Sequence, residues 1–425
     1  MDSAYGREFE YLSSLEFFGI KLGLEQTREL FRRMGDPDKD LKFIHVAGSN
    51  GKGSVCALLE GAFRRAGLKT GFYCSPHLIS VCERFRINGR PAEESVCAEA
   101  IREMMPVAEE MKRSGMHVTY FEATTLLAAR IFQRAGVDIV LWETGMGGRL
   151  DATNIVTPLA SVITGISLEH CRYLGDTLEK IAFEKAGIIK EGTKVFCSAA
   201  APEEAKRVIR ARAEELHAPC IEPALPTEKP IVEYESGSGR FRQHFHLPDG
   251  TALTIRLPGP HQRRNAALAA GVLRGTAGAL GIDAEEALKG FGDVTWDARF
   301  QFVPGRNLII DGGHNPEGIG ALGDTLEELF PGEKFHFLFG AFADKDAAGS
   351  LSRLAPLAER FTFLEMETER ASYGSGELGE RLRVCAPGVA WNTMGLEEAL
   401  AAGQGKKVLC GSLHLCGDAL AILKK

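Results

Sequence analysis

From Lys42 onward, short apolar runs alternate with longer stretches whose apolar residues recur at helical spacing. Phe43–Ala47 reads as a strand, followed by a glycine-rich turn and a helix over about Gly53–Ala66. Thr70–Cys74 is the next strand. Residues 93–113 and 121–134 read as helices on their spacing and their Ala, Glu, Leu and Met content. Asp138–Trp142 and Leu159–Ile166 are apolar runs bounded by turn residues, so both read as buried strands, and Thr177–Lys190 returns to a helical period. Strands alternating with helices predict βαβ units and a mostly parallel sheet covered on both faces.

The texture changes around residues 226–257, where short segments separated by Gly, Ser and Pro-Asp-Gly read as antiparallel hairpins. An Ala-rich helix follows over about Gln262–Leu280. A second α/β series then takes Asn307–Ile310, Lys334–Phe339, Arg360–Leu364 and Lys406–Cys410 as its strands. The expected architecture is α/β: a domain 1–296 with a mostly parallel sheet and a small antiparallel β portion, then a smaller Rossmann-like α/β domain 297–425.

Composition narrows the class. At 425 residues the length suits two or three domains, and 44% hydrophobic with 25% charged residues is ordinary for a globular chain. The net charge of -7 leaves no global footprint for nucleic acid or an anionic membrane. No apolar run reaches the roughly 18–20 residues a membrane helix needs. The N-terminus lacks a basic segment followed by an apolar one, so no secretory signal is expected. Ten cysteines are scattered singly with no C-x-x-C pair, which argues against a zinc ribbon and for reduced thiols in a cytoplasmic protein. A monomer acting on small molecules, without nucleic-acid or membrane partners, is the expectation.

The sharpest local signal is FIHVAGSNGKGSV, residues 43–55. A strand runs into Gly48-Ser49-Asn50-Gly51-Lys52-Gly53-Ser54 and then into a helix. Glycines let successive N–H groups curl inward, the helix N-terminus adds its positive end, and Lys52 supplies a full charge. The strict G-x-x-x-x-G-K-[ST] form is not met, because position 46 is Val and Gly53 follows the lysine. A ligand-free tight turn explains the glycines but not Lys52, and a dinucleotide fingerprint has no lysine at this place. Phosphate binding is the favoured reading of the three.

Further acids and bases sit at predicted strand ends, where open parallel sheets bind ligands. Glu143 closes its strand just before Thr144-Gly145-Met146-Gly147-Gly148, a natural place to hold Mg²⁺, although a solvated glutamate fits the spacing equally. Ser75 follows Thr70–Cys74 in the same way, and His170 follows the strand ending near Ile166. Pattern alone makes Lys185 a surface lysine.

Taken together the motifs resemble the folylpolyglutamate synthase / dihydrofolate synthase family of the Mur-ligase superfamily. The matching segments are VAGSNGKGS (46–54), CSPHLISVCERFRING (74–89), TYFEATT (119–125), ETGMGGRLDATN (143–154) and LGDTLEKIAFEKAGIIKEG (174–192). PGPHQRRNAALA (258–269), DGGHNP (311–316) and GSLHLCGD (411–418) continue the match in order. The resemblance implies a ligase that uses ATP and Mg²⁺ to join L-glutamate to a pteroate or folate carboxyl group, with a monovalent cation such as K⁺ as a further candidate. By matching motif, Ser49, Asn50, Gly51, Lys52, Gly53 and Ser54 would hold the phosphates, and Ser75, Glu143 and His170 the Mg²⁺. Lys185 would be the lysine that family members carry as a carbamate. Asn265 and Arg299 would contact the nucleotide phosphates, Asp311 and His314 would line the nucleotide and glutamate side of an interdomain cleft, and Ser412 would lie near the glutamate. The pterin would approach through the loop 76–90, with Pro76, His77 and Arg84, and through Asp151, Ala152 and Thr153. Lys52, His170 and Lys185 would carry the catalysis.

Three positions depart from the family pattern. Glu169 stands before His170 where Asp is usual, Trp296-Asp297-Ala298-Arg299 replaces W-P-G-R, and Gly313 replaces the common Ala before His314. The alternatives are a Mur-type ligase acting on another carboxylate, such as a UDP-linked precursor, and a nucleotide-binding switch without ligase chemistry. Only about 45 residues precede the phosphate loop, too few for a typical UDP-binding domain. A second α/β domain has no obvious task in a simple switch.

Overall fold

A strand buried on both faces is mostly apolar on both, and the central strands of the computed structural model are, with His45 and Glu143 as their polar exceptions. The structure describes residues 5–15, 23–235, 239–366, 368, 370–403 and 405–424; the tip of the expected hairpin at 236–238 and the first four residues lie outside them. The first sheet contains β1 (Phe43–Ala47), β2 (Thr70–Tyr73), β3 (Phe85–Ile87), β4 (Arg90–Pro91), β5 (Ile139–Glu143), β6 (Ala160–Ile163), β7 (Lys194–Cys197) and β8 (Cys220–Ile221). Its order is β4-β3-β2-β5-β1-β6-β7-β8. All neighbours from β2 to β8 pair in parallel, and β3 and β4 add an antiparallel edge. β1 and β5 are buried at every position and occupy the middle.

A three-stranded antiparallel sheet follows, made of β9 (Ile231–Glu235), β10 (Arg240–His246) and β11 (Ala252–Ile255). The last sheet contains β12 (Gln301–Val303), β13 (Leu308–Ile310), β14 (Phe335–Phe339), β15 (Ala358–Phe363), β16 (Ala390–Thr393) and β17 (Lys407–Cys410), in the order β12-β13-β17-β14-β15-β16. Only β12 is antiparallel to its neighbour. The mixed α/β architecture agrees with the sequence reading.

The chain divides into two compact units, Met1–Leu225 with Arg264–Phe291, and Pro226–Arg263 with Gly292–Lys425. The antiparallel strands, expected in the first domain, therefore belong to the second unit. The cause is aromatic packing: Phe241 on β10 lies 6.1 Å from Phe300 and 5.8 Å from Phe330, and all three pack into one core with β13 and β14. The last crossing between the units falls at 291/292.

Candidate functional site

The chain leaves β1 through two glycines that no other residue replaces without strain. Gly48 has φ +150°, and a Cβ there would lie 1.8 Å from Thr164 Oγ1; Gly51 has φ +91°, and its Cβ would lie 2.7 Å from Asn265 Oδ1. Gly51 is the N-cap of the helix Lys52–Arg65, whose positive end faces the loop. The segment after β6 braces this loop: Thr164 Oγ1 donates to Asn50 O (2.7 Å), Ser49 N to Gly165 O (2.7 Å) and Ser167 N to Ser49 Oγ (3.0 Å). β6 accordingly ends at Ile163, three residues before the expected Ile166, because Thr164–Ser167 turn onto the phosphate loop. Lys52 Nζ lies across the loop, donating to Gly48 O (2.9 Å) and Ser49 O (3.4 Å). Asn265 reaches the loop from the helix Pro260–Leu280.

Glu143 ends β5 with only 5% of its surface exposed, and Ser75 N donates to its Oε2 (3.4 Å). Burial raises the Cys56 and Cys74 thiols, and the Glu143 carboxylate adds to both shifts. Glu143 thus sits between the phosphate-loop helix and the end of β2. Behind β6, Lys185 is 1% exposed and its Nζ donates to Glu169 Oε1 (2.8 Å). Burial pulls the Lys185 ammonium down from 10.5 to about 8, against the pull of Glu169. For Glu169, burial pushes up, but Lys185 and Lys52 prevail and hold the carboxyl at about 2. Both are affected by Lys52, so phosphate loop and ion pair share one electrostatic neighbourhood. His170 follows with φ +47° at the N-cap of the short helix Cys171–Leu174.

The DATN side chains point back into their own chain. Asp151 accepts from Gly145 N (3.0 Å) and Met146 N (2.9 Å) through one oxygen, and from Thr153 N (3.0 Å) and the Thr153 hydroxyl through the other. Burial raises its carboxyl pKa, against these hydrogen bonds. Thr153 also meets His45 Nε2 (2.9 Å), and Ala152 is buried. These residues fix the glycine loop after Glu143, and Gly145 is required there because a Cβ would lie 2.4 Å from Phe121 Cζ. In the loop after β2, a cis Ser75-Pro76 peptide leads to His77. Arg84 Nε donates to His77 Nδ1 (2.9 Å), and its guanidinium lies 5.1 Å from the Tyr120 ring centroid.

The second unit gathers its own group at the carboxyl ends of β13 and β17. Asp311 accepts from Phe300 N (2.9 Å) and Gly313 N (2.8 Å). Burial raises its carboxyl pKa, and Arg299 opposes the shift. A Cβ on Gly312 would lie 2.5 Å from Arg299 Nη1, so Arg299 packs on this loop. His314 Nδ1 lies 2.9 Å from Gly312 O, a carbonyl that can only accept, so Nδ1 carries a proton. The Ser412 hydroxyl accepts from His414 N (3.2 Å), capping the helix Leu413–Leu423. Ser49 to Ser54, Asn265, Ser75, Glu143, His170 and Lys185 thus lie in the first unit with the loop 76–84 and residues 151–153, whereas Arg299, Asp311, His314 and Ser412 lie in the second.

Sequence reasoning missed several supporting residues. Thr119 and Glu122 of TYFE form a capping box at the start of the helix Tyr120–Ala135. Glu83 collects three consecutive loop amides, and the Ser80-x-x-Glu83 spacing was its signal. Thr164 carried no local signal.

Among the described residues, no group of three or more His, Cys, Asp or Glu converges as a metal cage. The expected donors Ser75, Glu143 and His170 include a single carboxylate, which is compatible with Mg²⁺, an ion that keeps waters and takes one or two carboxylates together with substrate phosphates.

In this chain a glycine-cradled lysine beside buried acids, followed by a second α/β unit, coincides with matches to two Mur ligase domains, which assign it to the Mur ligase class. The model of the Mur ligase middle domain matches residues 46–273, and that of the Mur ligase glutamate ligase domain matches 298–403. The dihydrofolate synthase/folylpolyglutamate synthase of Bacillus subtilis is 34% identical over 88% of this chain and 87% of its own. The chain belongs to the dihydrofolate synthase/folylpolyglutamate synthase family, ATP-dependent ligases that add glutamate. Escherichia coli FolC, solved with DHPP and ADP, superposes with a TM-score of 0.82 at 29% identity, over 100% of this chain and 99% of that one. The bifunctional enzyme of Yersinia pestis, solved with AMPPNP and Mn, gives 0.80 at 30% identity, over 100% and 99%.

Proposed function

We propose that this chain attaches L-glutamate to dihydropteroate and to (tetrahydro)folyl-polyglutamate, both activities residing in one polypeptide. The observation that carries the reading is the braced loop 48–54 with Lys52 across it, set beside Glu143 and the Lys185–Glu169 pair. A carboxylate resists an amine because it is anionic and lacks a leaving group. Transfer of the ATP γ-phosphoryl group to it gives an acyl phosphate, and the glutamate amine then displaces phosphate through a tetrahedral intermediate. Phosphoryl transfer asks mainly for positioning and charge neutralisation. Loop amides, Lys52 and Asn265 supply these for the triphosphate. Ser75, Glu143 and His170 would hold Mg²⁺, which supplies charge neutralisation at the phosphates when bound.

In this reading the first unit takes the acceptor and the nucleotide phosphates, Arg299, Asp311 and His314 also serve the nucleotide, and Ser412 serves the glutamate. Pro76, His77, Arg84 and the segment 151–153 form the acceptor side, the last by holding the loop after Glu143. Lys185 takes up CO₂ as a carbamate, a reaction of the neutral amine that its burial favours. As a carbamate Lys185 would be an anion beside Glu169, and the two residues would hold a cation, Mg²⁺ or K⁺, that neutralises their charge. The protein works as a cytoplasmic monomer.

The test measures ADP release with dihydropteroate, tetrahydrofolate or a UDP-linked peptide, each with and without glutamate. Release with both pterins, only when glutamate is present, is expected. Release with the UDP-linked peptide, or without any acceptor, overturns the reading. Lys52→Ala should abolish ADP formation with either pterin.

A further inference from the structure

We infer that Glu83 is the positioning residue of the acceptor loop, holding residues 76–84 in the one shape that offers His77 and Arg84 to the substrate. Its carboxylate accepts from three successive backbone amides, Leu78 N (2.8 Å) through Oε2 and Ile79 N and Ser80 N (both 3.1 Å) through Oε1. Three N–H groups in a row facing one point form an anion-binding concavity, and here the loop fills it with its own anion. Ser80 completes a capping box, its hydroxyl accepting from Cys82 N (3.3 Å). Glu83 O also accepts from Cys74 Sγ (3.3 Å), and Arg84 O from Cys74 N (3.2 Å), which returns the loop to the end of β2 beside Ser75.

The consequence is geometric. His77 and Arg84 lie on either side of the clamped amides, and the 2.9 Å contact between them exists only while the loop is folded back. The short helix Val81–Arg84 has a single turn, anchored in the core by Cys82 with Val81 packed beside it. Ser80 is also tied to that turn through its hydroxyl and its carbonyl, so this carboxylate is the main hold on the amides of Leu78 and Ile79. The root of the hairpin is anchored separately: Glu60, on the phosphate-loop helix, accepts from Gly89 N (2.8 Å) and Thr70 Oγ1 (3.3 Å). Loosening the loop tip therefore leaves β2, β3 and the phosphate loop in place.

The inference rests on the reading of residues 76–84 as the acceptor side, and the experiment separates the two. Glu83→Gln and Glu83→Ala are compared with wild type by amide hydrogen exchange at 77–80 and by KM for tetrahydrofolate and for ATP. The amide of Gln places a donor against Leu78 N–H, so both variants should exchange faster there, and Gln keeps the shape should Ala fail to fold. Acceptor KM should rise about tenfold or more, the scale of a lost charged hydrogen bond, with ATP KM within about twofold of wild type. A merely structural role would lower the melting temperature without this split. Unchanged exchange at 77–80 overturns the positioning role. Faster exchange with an unmoved acceptor KM shows instead that this loop does not bind the acceptor.

Discussion

A lysine ammonium stripped of water gives up its proton more readily, and Lys185 is held between that tendency and the Glu169 carboxylate 2.8 Å away. Its folded pKa, about 8 against 10.5, means that stability rises as pH climbs from about 8 towards 10.5, with the full cost of the buried charge below that window. Glu169, held at about 2 against 4.5, gives the same sign in an acid window: its stabilisation is fully present above 4.5 and lost as pH falls towards 2. In Glu169→Gln the ammonium loses its anion, so its pKa should fall further below about 8, which lysine Nζ NMR titration reads directly; an unchanged value would show that Glu169 does not hold the proton. Pattern alone made Lys185 a surface residue, yet Ile181, Ala182, Lys185 and Ala186 form one buried helical face. The apolar stripe was visible; a lysine within it was not credited. Ala298 stands where the family pattern has glycine, and its φ of +54° explains that preference. Ala298→Gly should be neutral or stabilising by up to about 1 kcal/mol in chemical denaturation, and a loss larger than that would show that the side chain's packing outweighs the backbone strain.

At the level of elements, the phosphate loop depends on a neighbour that the sequence does not put beside it. Gly48→Ala sets a methyl group against Thr164 Oγ1 at a left-handed φ, so the loop must open. Binding of a non-hydrolysable ATP analogue, measured by calorimetry, should weaken by more than about 100-fold, equivalent to roughly 3 kcal/mol. Thr164→Val keeps the volume and removes the hydrogen bond to Asn50 O, so about tenfold weaker binding with near-native stability is expected. Wild-type affinity in Thr164→Val would show that the loop holds its shape unaided. The central strands β1, β5 and β14 were legible because burial on both faces makes them mostly apolar, with His45, Glu143 and His336 as their single polar positions. β4, β9 and β16 contain no buried position and lie at sheet edges, so only β9 was expected, from its turn residues. The helix expected to Lys190 stops at Ala186, where Arg149 N donates to Glu184 O (2.7 Å) in place of Ile188 N and Arg149 packs so close to Gly187 that a Cβ there would lie 2.3 Å from its own Cβ. That limit comes from a partner 38 positions earlier in the chain and has no local trace.

Across the whole molecule, the division into units follows which core an element joins rather than where it falls in sequence. The alternating burial of β10 identifies an antiparallel strand but says nothing about its partner, and that is why residues 226–263 were expected in the first domain. Phe241 supplies the missing link. It packs with Tyr234 at 5.1 Å on its own sheet and with Phe300 and Phe330 in the C-terminal core. Phe241→Ala removes these contacts and should destabilise the second unit by about 3 kcal/mol, the low end for a phenylalanine because the site lies at the rim of the core. The first unit has its own cores around β1, β5 and β7. Thermal unfolding followed by hydrogen exchange should therefore show early loss of protection in β9–β17 of this variant, with β1 and β5 still protected. ATP-analogue protection of the helix Lys52–Arg65 should persist through that first loss. Simultaneous loss in β1 and β5 would mean that the antiparallel sheet supports both units equally, and the assignment of residues 226–263 to the second would fall.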